Sequence, residues 1–441
     1  MTSMGEARLG AVSFITMGCA KNEVDSEHMA VRLENAGYDV VDDFEAADVV
    51  VVNTCSFIQA ATEESIDAIL EVAGLDSVRD GAARLVVAGC MPARYGDELD
   101  AEFPEVSEFV PCAREESIVA VVDGLLGVER IAGEDTCIKL GLGGPERISA
   151  YVKISDGCDR FCSYCSIPYI RGRYHSFALD DIRAEVARVI GCGAREIVLI
   201  AQDTGRWGSD FDEPSSLAEL MGDLAESWPD TWFRVMYIQP EGITDELIET
   251  VATHENICPY FDIPLQHVNP RILKDMNRRG SSEDFLHLIE KIRRALPDAA
   301  LRTTLIAGFP GETDEEFDEL CEFVQEAPFD YVGVFPYSRE EGTRAYDLPN
   351  QIDEDEKMSR AQTLRDLADA TCSARIAERI GSHVRVLVCG TEEDGQLFGR
   401  STLQAPDVDG VTYVDAGEPG DIVEVVIEDT LLYEVEGTVV R

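Results

Sequence analysis

Residues 150–165 read AYVKISDGCDRFCSYC. The opening six residues suit a buried strand, and the loop behind it carries Cys158, Cys162 and Cys165. Three thiolates in one short loop can ligate three irons of a cubane 4Fe-4S cluster. Such clusters usually take four cysteines, so the fourth iron is left open to a substrate or cofactor. A zinc site favours paired C-x-x-C units and four ligands, and no second pair lies nearby. Structural thiols would not gather three within eight residues. The loop also follows its strand directly, and parallel β/α barrels place their chemistry at the C-terminal ends of strands.

Working outward toward the C-terminus, apolar runs recur at 196–202, 233–238, 260–265, 301–308 and 331–337. Helical patterns lie between them, as at 180–190 and 282–296, and one long helical pattern at 354–380 closes the series. Six strands alternating with helices predict a partial TIM-type (β/α)6 barrel over 148–380. Beyond it, 381–441 breaks into short β-prone runs separated by glycine, proline and aspartate, which predicts a small all-β barrel.

Working back toward the N-terminus, 128–147 is glycine-rich and weakly periodic, and reads as a linker. Over 9–127, the runs AVSFITMGC (11–19), DVVVVNTC (48–55) and RLVVAGC (84–90) suit buried parallel strands. Helical stretches at 26–37 and 62–74 separate them, and each stops at a glycine. A flavodoxin-like parallel sheet is expected. Each strand run ends in a cysteine: Cys19, Cys55 and Cys90. Ligands of open parallel sheets bind outside the carboxyl ends of the strands, so three separate segments deliver one thiolate each to the same edge.

Composition bounds the setting. The chain has 441 residues, 45% of them hydrophobic, which is enough for ordinary cores in two to four domains. No secretory signal and no apolar run of membrane-spanning length is visible, so a cytoplasmic protein is expected. Thirteen cysteines in such a compartment point to metal binding plus scattered buried thiols, because disulfides are rare there. The singletons Cys112, Cys137, Cys192, Cys258, Cys321, Cys372 and Cys389 are read as small buried hydrophobes. There is no H-E-x-x-H pair and no dinucleotide fingerprint. His267 reads as a hydrogen-bonded structural residue. The net charge is −49, from 37 Lys+Arg against 86 Asp+Glu. Such a surface repels phosphate backbones and attracts basic partners, and a purely solvated acidic face accounts for it equally well.

C-x-x-x-C-x-x-C with Tyr164 before its last cysteine resembles the radical S-adenosylmethionine (SAM) superfamily. The N-terminal GCAKN around Cys19, NTC ending at Cys55 and GCMPAR starting at Gly89 resemble the methylthiotransferase family within it. The resemblance implies two 4Fe-4S clusters, one on Cys158, Cys162 and Cys165 and an auxiliary one on Cys19, Cys55 and Cys90, with SAM as cofactor. It implies a TRAM-type C-terminal barrel. It also implies that Tyr164, Gln202, Gln266, Gly308 and Tyr337 face SAM at the barrel strand ends.

Two branches of the family differ in substrate. KNEVDSEH (21–28), LIAQDTGRWG (199–208), PYFDIPLQHVNPRILKDMNR (259–278) and GRSTLQAPDVDGVTYV (399–414) resemble the RimO-type branch. That branch methylthiolates the β-carbon of an aspartate of small-subunit ribosomal protein S-twelve. The alternative is a MiaB-like modification of transfer RNA adenosine. RGRYHSF (171–177) departs from the family by lacking two cations, which leaves its role open. Within 381–441 there are thirteen acidic residues and three basic ones, so direct nucleic-acid binding is not expected and a basic ribosomal protein is the better match. The acidity is spread over the whole chain, which weakens that inference. An electron donor such as flavodoxin or ferredoxin is implied as a further partner.

Overall fold

A computed structural model describes residues 9–130 and 147–440. Most of the linker expected at 128–147 lies outside the described residues, as does Cys137. The chain forms two compact units. The first takes 9–130 together with 157–159 and 165–174; the second takes 147–156, 160–164 and 175–440.

The first unit is built on five parallel strands: β1 (Ala11–Thr16), β2 (Asp39–Val40), β3 (Val49–Thr54), β4 (Arg84–Gly89) and β5 (Glu108–Pro111). Their order is β2-β1-β3-β4-β5, the flavodoxin-like arrangement. Successive valines of β3 bury on opposite faces. Val49 and Val51 pack with Met29, Leu33 and Ile118, while Val50 and Val52 pack with Ile69 and Val72. A strand buried on both faces needs this unbroken apolar run. The short β2 and β5 were not legible as strands. The first helix, Ala20–Asn35, starts six residues before the expected 26, because Cys19 holds an extended N-cap conformation directly after the β1 turn.

In the second unit six parallel strands succeed one another: β6 (Ser149–Lys153), then, after the pair β7 (Ser155–Asp156) and β8 (His175–Ser176), β9 (Glu196–Ile200), β10 (Trp232–Val235), β11 (Tyr260–Asp262), β12 (Ala300–Ala307) and β13 (Tyr331–Pro336). They form sheets β10-β9-β6 and β11-β12-β13, joined where Phe233 bridges Ile257. The run 150–155 does not stay one strand. Antiparallel β7–β8 pinches off residues 157–174 as an excursion that carries the cysteine triplet. The run 260–265 is regular only through Asp262, because Pro264 offers no N–H to a ladder. The long helix is Glu354–Ala377, capped by the Asp353 side chain.

The C-terminal strands β14 (His383–Thr391), β15 (Leu397–Ser401), β16 (Thr412–Val414), β17 (Ile422–Leu431) and β18 (Glu434–Val439) close into a barrel in the order β14-β15-β16-β18-β17. Val386, Val388, Val414 and Val425 fill it. It is fastened to the N-terminal ends of the parallel strands. Glu196, at the start of β9, binds Arg234 and Arg400, each at 2.9 Å. Arg234 Nη1 donates to Thr402 O (3.0 Å), and Tyr260 Oη donates to Asp409 Oδ2 (2.7 Å). These bonds leave the C-terminal strand ends of the parallel sheet, where such folds carry their chemistry, on the opposite edge.

Burial raises the Asp409 carboxyl from 3.8 to about 6, against the opposing pull of Arg302. A carboxyl raised in the fold binds its proton more tightly there than in the unfolded chain. Its stabilising contribution is complete below about pH 4 and is lost as the pH rises through about 6. Asp409→Asn removes this slope, on the order of 3 kcal/mol over the window. The check is the wild-type minus variant unfolding midpoint followed from pH 4 to 7.

Candidate iron–sulfur and cofactor sites

The first site is assembled at the ends of β1, β3 and β4. Chain order reverses between β1 and β3, and such switch points are where open sheets bind ligands. Asn22, fully buried, clips the edge together: its Nδ2 donates to Met17 O and Thr54 O, both at 2.9 Å. Thr54 Oγ1 in turn donates to Ala88 O (2.6 Å) and accepts from Met91 N (3.2 Å), tying β3 to the start of the helix at Cys90. These bonds gather the three thiols. Asn22 Oδ1 lies 3.9 Å from Cys19 Sγ and 3.8 Å from Cys90 Sγ. A Cβ added at Gly18, whose φ is +97°, would sit 2.4 Å from Cys55 Cβ and 2.8 Å from its Sγ. The structure therefore brings Cys19, Cys55 and Cys90 to one edge.

Burial pushes the Cys55 thiol up to about 12, opposed by a hydrogen bond from the Phe57 backbone and, less, by Arg171, and reinforced by Cys90 and Cys19. Cys90 is drawn down to about 7, first by a hydrogen bond from Cys112, then by Arg171, against burial. Cys112 is raised by that same bond and by burial. It is thus not an isolated buried thiol, as its sequence position suggests, but a neighbour of Cys90. An all-sulfur donor set, with Cys55 and Cys90 buried and Cys19 exposed, fits an iron–sulfur cluster, since soft thiolates select such centres and a bound metal deprotonates them. Gly18→Ala must displace Cys55. We expect reconstituted Gly18→Ala protein to hold less iron than wild type, the loss arising at this site, as read by iron analysis and EPR.

Of the triplet, Cys158 and Cys165 belong to the first unit and Cys162 to the second. In the first, Cys158 N donates to Gly172 O (3.1 Å). A Cβ at Gly157 would meet Arg173 O at 2.2 Å, so only glycine permits this crossing. Ser166 Oγ donates to Phe57 O (3.2 Å), two residues past Cys55. In the second unit, Arg278 Nη1 lies 3.9 Å from Cys162 Sγ, while Nη2 donates to Gln239 Oε1 and Pro264 O, each at 2.5 Å. Asn277 Nδ2 holds the carbonyls of Arg160 (2.9 Å) and Phe161 (3.0 Å).

The five residues expected to face SAM differ in their surroundings. Gln202, just past β9, donates to Asp156 Oδ1 (3.0 Å), and its buried Oε1 has no hydrogen-bond partner among the described residues. An orphaned buried acceptor beside a strand end is what a polar ligand would satisfy. Gln266 has φ +73° and bridges to Leu305 through its backbone. Tyr337 is buried with Phe309, Ile272 and Met276, and Tyr164 packs on the same cluster. Gly308 is glycine for a packing reason: a Cβ there would meet Lys357 Cγ at 2.7 Å. Its N–H donates to both Glu312 carboxylate oxygens at 3.1 Å. His267 Nδ1 accepts from Asn269 N (3.0 Å), while its buried Nε2 lies 3.4 Å from Glu312 Oε2 and has no hydrogen-bond partner among the described residues.

Sequence reasoning missed Asn22, Arg171, Arg278 and Glu312. Asn22 lies inside the quoted GCAKN and Arg171 inside RGRYHSF, so the signal available was a polar residue embedded in a cysteine or glycine motif. Among the described residues no three His, Cys, Asp or Glu side chains are grouped to hold a single metal ion. A cubane puts each thiolate on a different iron, so its ligands need not converge on one point. No helix among the described residues is long and apolar enough to cross a membrane.

Three family models match successive parts of the chain. The UPF0004 family model matches residues 11–111, the Radical SAM superfamily model 152–324 and the TRAM domain model 380–440. The solved radical SAM methyltransferase TsrM from Kitasatospora setae shares the fold, with TM-score 0.57 at 14% identity over 76% of this chain and 73% of that one. The protein is therefore a radical SAM enzyme, a class that uses SAM and at least one iron–sulfur cluster.

Full-length relatives narrow the class. The ribosomal protein uS12 methylthiotransferase RimO of Natranaerobius thermophilus is 42% identical over 97% of this chain and 98% of its own length. Those of Clostridioides difficile and Geobacter sulfurreducens are each 41% identical, with the same coverage. The chain belongs to the RimO family of ribosomal protein uS12 methylthiotransferases.

Proposed function

We propose that this protein replaces a hydrogen on the β-carbon of an aspartate of ribosomal protein S-twelve with a methylthio group, using two 4Fe-4S clusters. The observation that carries the second cluster is the convergence of Cys19 and Cys90 on Asn22 Oδ1, with Cys55 against Gly18. Cys158, Cys162 and Cys165 hold the first. Together with SAM, that cluster would supply a 5′-deoxyadenosyl radical able to take hydrogen from an unactivated carbon, while the auxiliary cluster would supply the sulfur and a second SAM its methyl group.

The chain's own residues do the positioning. Arg278 places a guanidinium against Cys162 Sγ, and Asn277 fixes the backbone of the loop. Hydrogen bonds to cluster sulfurs raise a reduction potential and orient the ligand. Gln202 offers its unsatisfied Oε1 to the cofactor, and Tyr164 and Tyr337 share one buried apolar cluster. The C-terminal barrel, with thirteen acidic residues against three basic, would repel RNA phosphates and attract a basic ribosomal protein. A low-potential one-electron carrier such as flavodoxin or ferredoxin serves as reductant, in the cytoplasm where ribosomes assemble.

The test is anaerobic. Reconstituted enzyme, reductant and SAM are offered a peptide carrying the S-twelve aspartate loop together with unmodified transfer RNA. A methylthio mass shift on the peptide alone is expected. The same shift on RNA alone would reverse the assignment to the MiaB-like alternative.

A further inference from the structure

Within RGRYHSF, whose role the sequence left open, Arg171 and Gly172 lie against cysteines of both candidate sites. The Arg171 side chain is only 2% exposed. Its Nη2 donates to Asp25 Oδ2 and to Asn22 Oδ1, each at 2.8 Å, and lies 4.0 Å from Cys90 Sγ. The next residue, Gly172, accepts the N–H of Cys158 at 3.1 Å. Adjacent residues therefore touch an auxiliary-site cysteine and a triplet cysteine within one compact unit. We infer that Arg171 is a positioning residue that holds the auxiliary thiolates in register with Cys158 and sets the potential of the auxiliary cluster.

The inference rests on the two-cluster reading above. Once the thiols of Cys19 and Cys90 become cluster thiolates, they no longer donate to Asn22 Oδ1, and Arg171 remains as a donor to it. The guanidinium is also a buried positive charge facing a negatively charged centre, with Asp25 as its counter-ion. Reduction adds an electron, so a neighbouring cation favours the reduced form and a neighbouring anion disfavours it. The two partners of one ion pair must then act in opposite directions. General damage to the fold would not produce that signature.

The experiment uses the full chain with Cys158→Ala, Cys162→Ala and Cys165→Ala, so that iron binds at the auxiliary site alone. EPR-monitored redox titration then gives its potential. Arg171→Gln should lower the potential by at least a tenfold change in the reduction equilibrium constant, or 59 mV for one electron. Asp25→Asn should raise it, and Arg171→Lys should recover most of the loss. Should Arg171→Gln fail to fold, the rise in Asp25→Asn still decides. Unchanged potentials, or shifts of the same sign, overturn the inference while leaving the cluster assignment standing. No cluster in the triple-alanine parent would refute that assignment, and this inference with it.

Discussion

Cys162→Ala abolishes release of 5′-deoxyadenosine from SAM, by at least ~1,000-fold, or about 4 kcal/mol of activation free energy. Cys55→Ala leaves that cleavage in place and removes the methylthio product to the same extent. The asymmetry follows from the two separate thiol sets. Cys162 sits in the triplet loop, where Arg278 and Asn277 hold it in the second unit. Cys55 follows β3 and packs on Gly18 in the first unit. On the two-cluster function proposed above, losing one of three thiolates would release an iron from the cluster that takes SAM, whereas losing Cys55 would strip only the sulfur-supplying centre. The measurement is anaerobic chromatography of deoxyadenosine with mass analysis of the peptide. Methylthiolated peptide from Cys55→Ala would sink the two-cluster assignment.

Glu196→Gln destabilises the second unit by about 3–5 kcal/mol, the range for an ion network that loses one sign of charge. Glu196 is buried beneath two cations, Arg234 and Arg400, and accepts from Ser149 Oγ at 2.8 Å. Burial alone would raise its pKa, but the two guanidiniums and Ser149 outweigh it and hold the carboxyl below its ordinary value. With glutamine in its place, Arg234 and Arg400 lose the one carboxylate that both of them contact. Arg400→Met costs less, because Glu196 keeps Arg234. Trp207, Trp228 and Trp232 all lie in the second unit, so their fluorescence during denaturant unfolding reports on it alone. Equal midpoints for Glu196→Gln and wild type would mean that the β-barrel is not fastened through this carboxylate.

What could be read from the chain was what local chemistry dictates. The apolar runs specified the three cysteine-tipped strands and the six strands of the partial barrel, because a strand buried on both faces needs an unbroken apolar stretch. The triplet spacing pointed to a cluster loop, because Cys158, Cys162 and Cys165 are neighbours in sequence. Short elements escaped: β2 has two residues and β5 four, too few for a period to show. So did the break of 150–155 into β6 and β7, which a partner strand twenty residues on imposes.

The sequence by itself determined the order of the domains, the class of chemistry and, through its motifs, which six cysteines to watch. Tertiary structure alone decided which polar groups surround them. Asn22 reaches Thr54, and Arg171 reaches Asp25, Asn22 and Cys90, across 32 to 149 residues of chain. Cys112 met Cys90 in the same way, and Arg278 met Cys162. Periodicity and spacing carry information only over a few turns of chain, whereas a buried charge or thiol takes its partner from whatever the fold packs beside it.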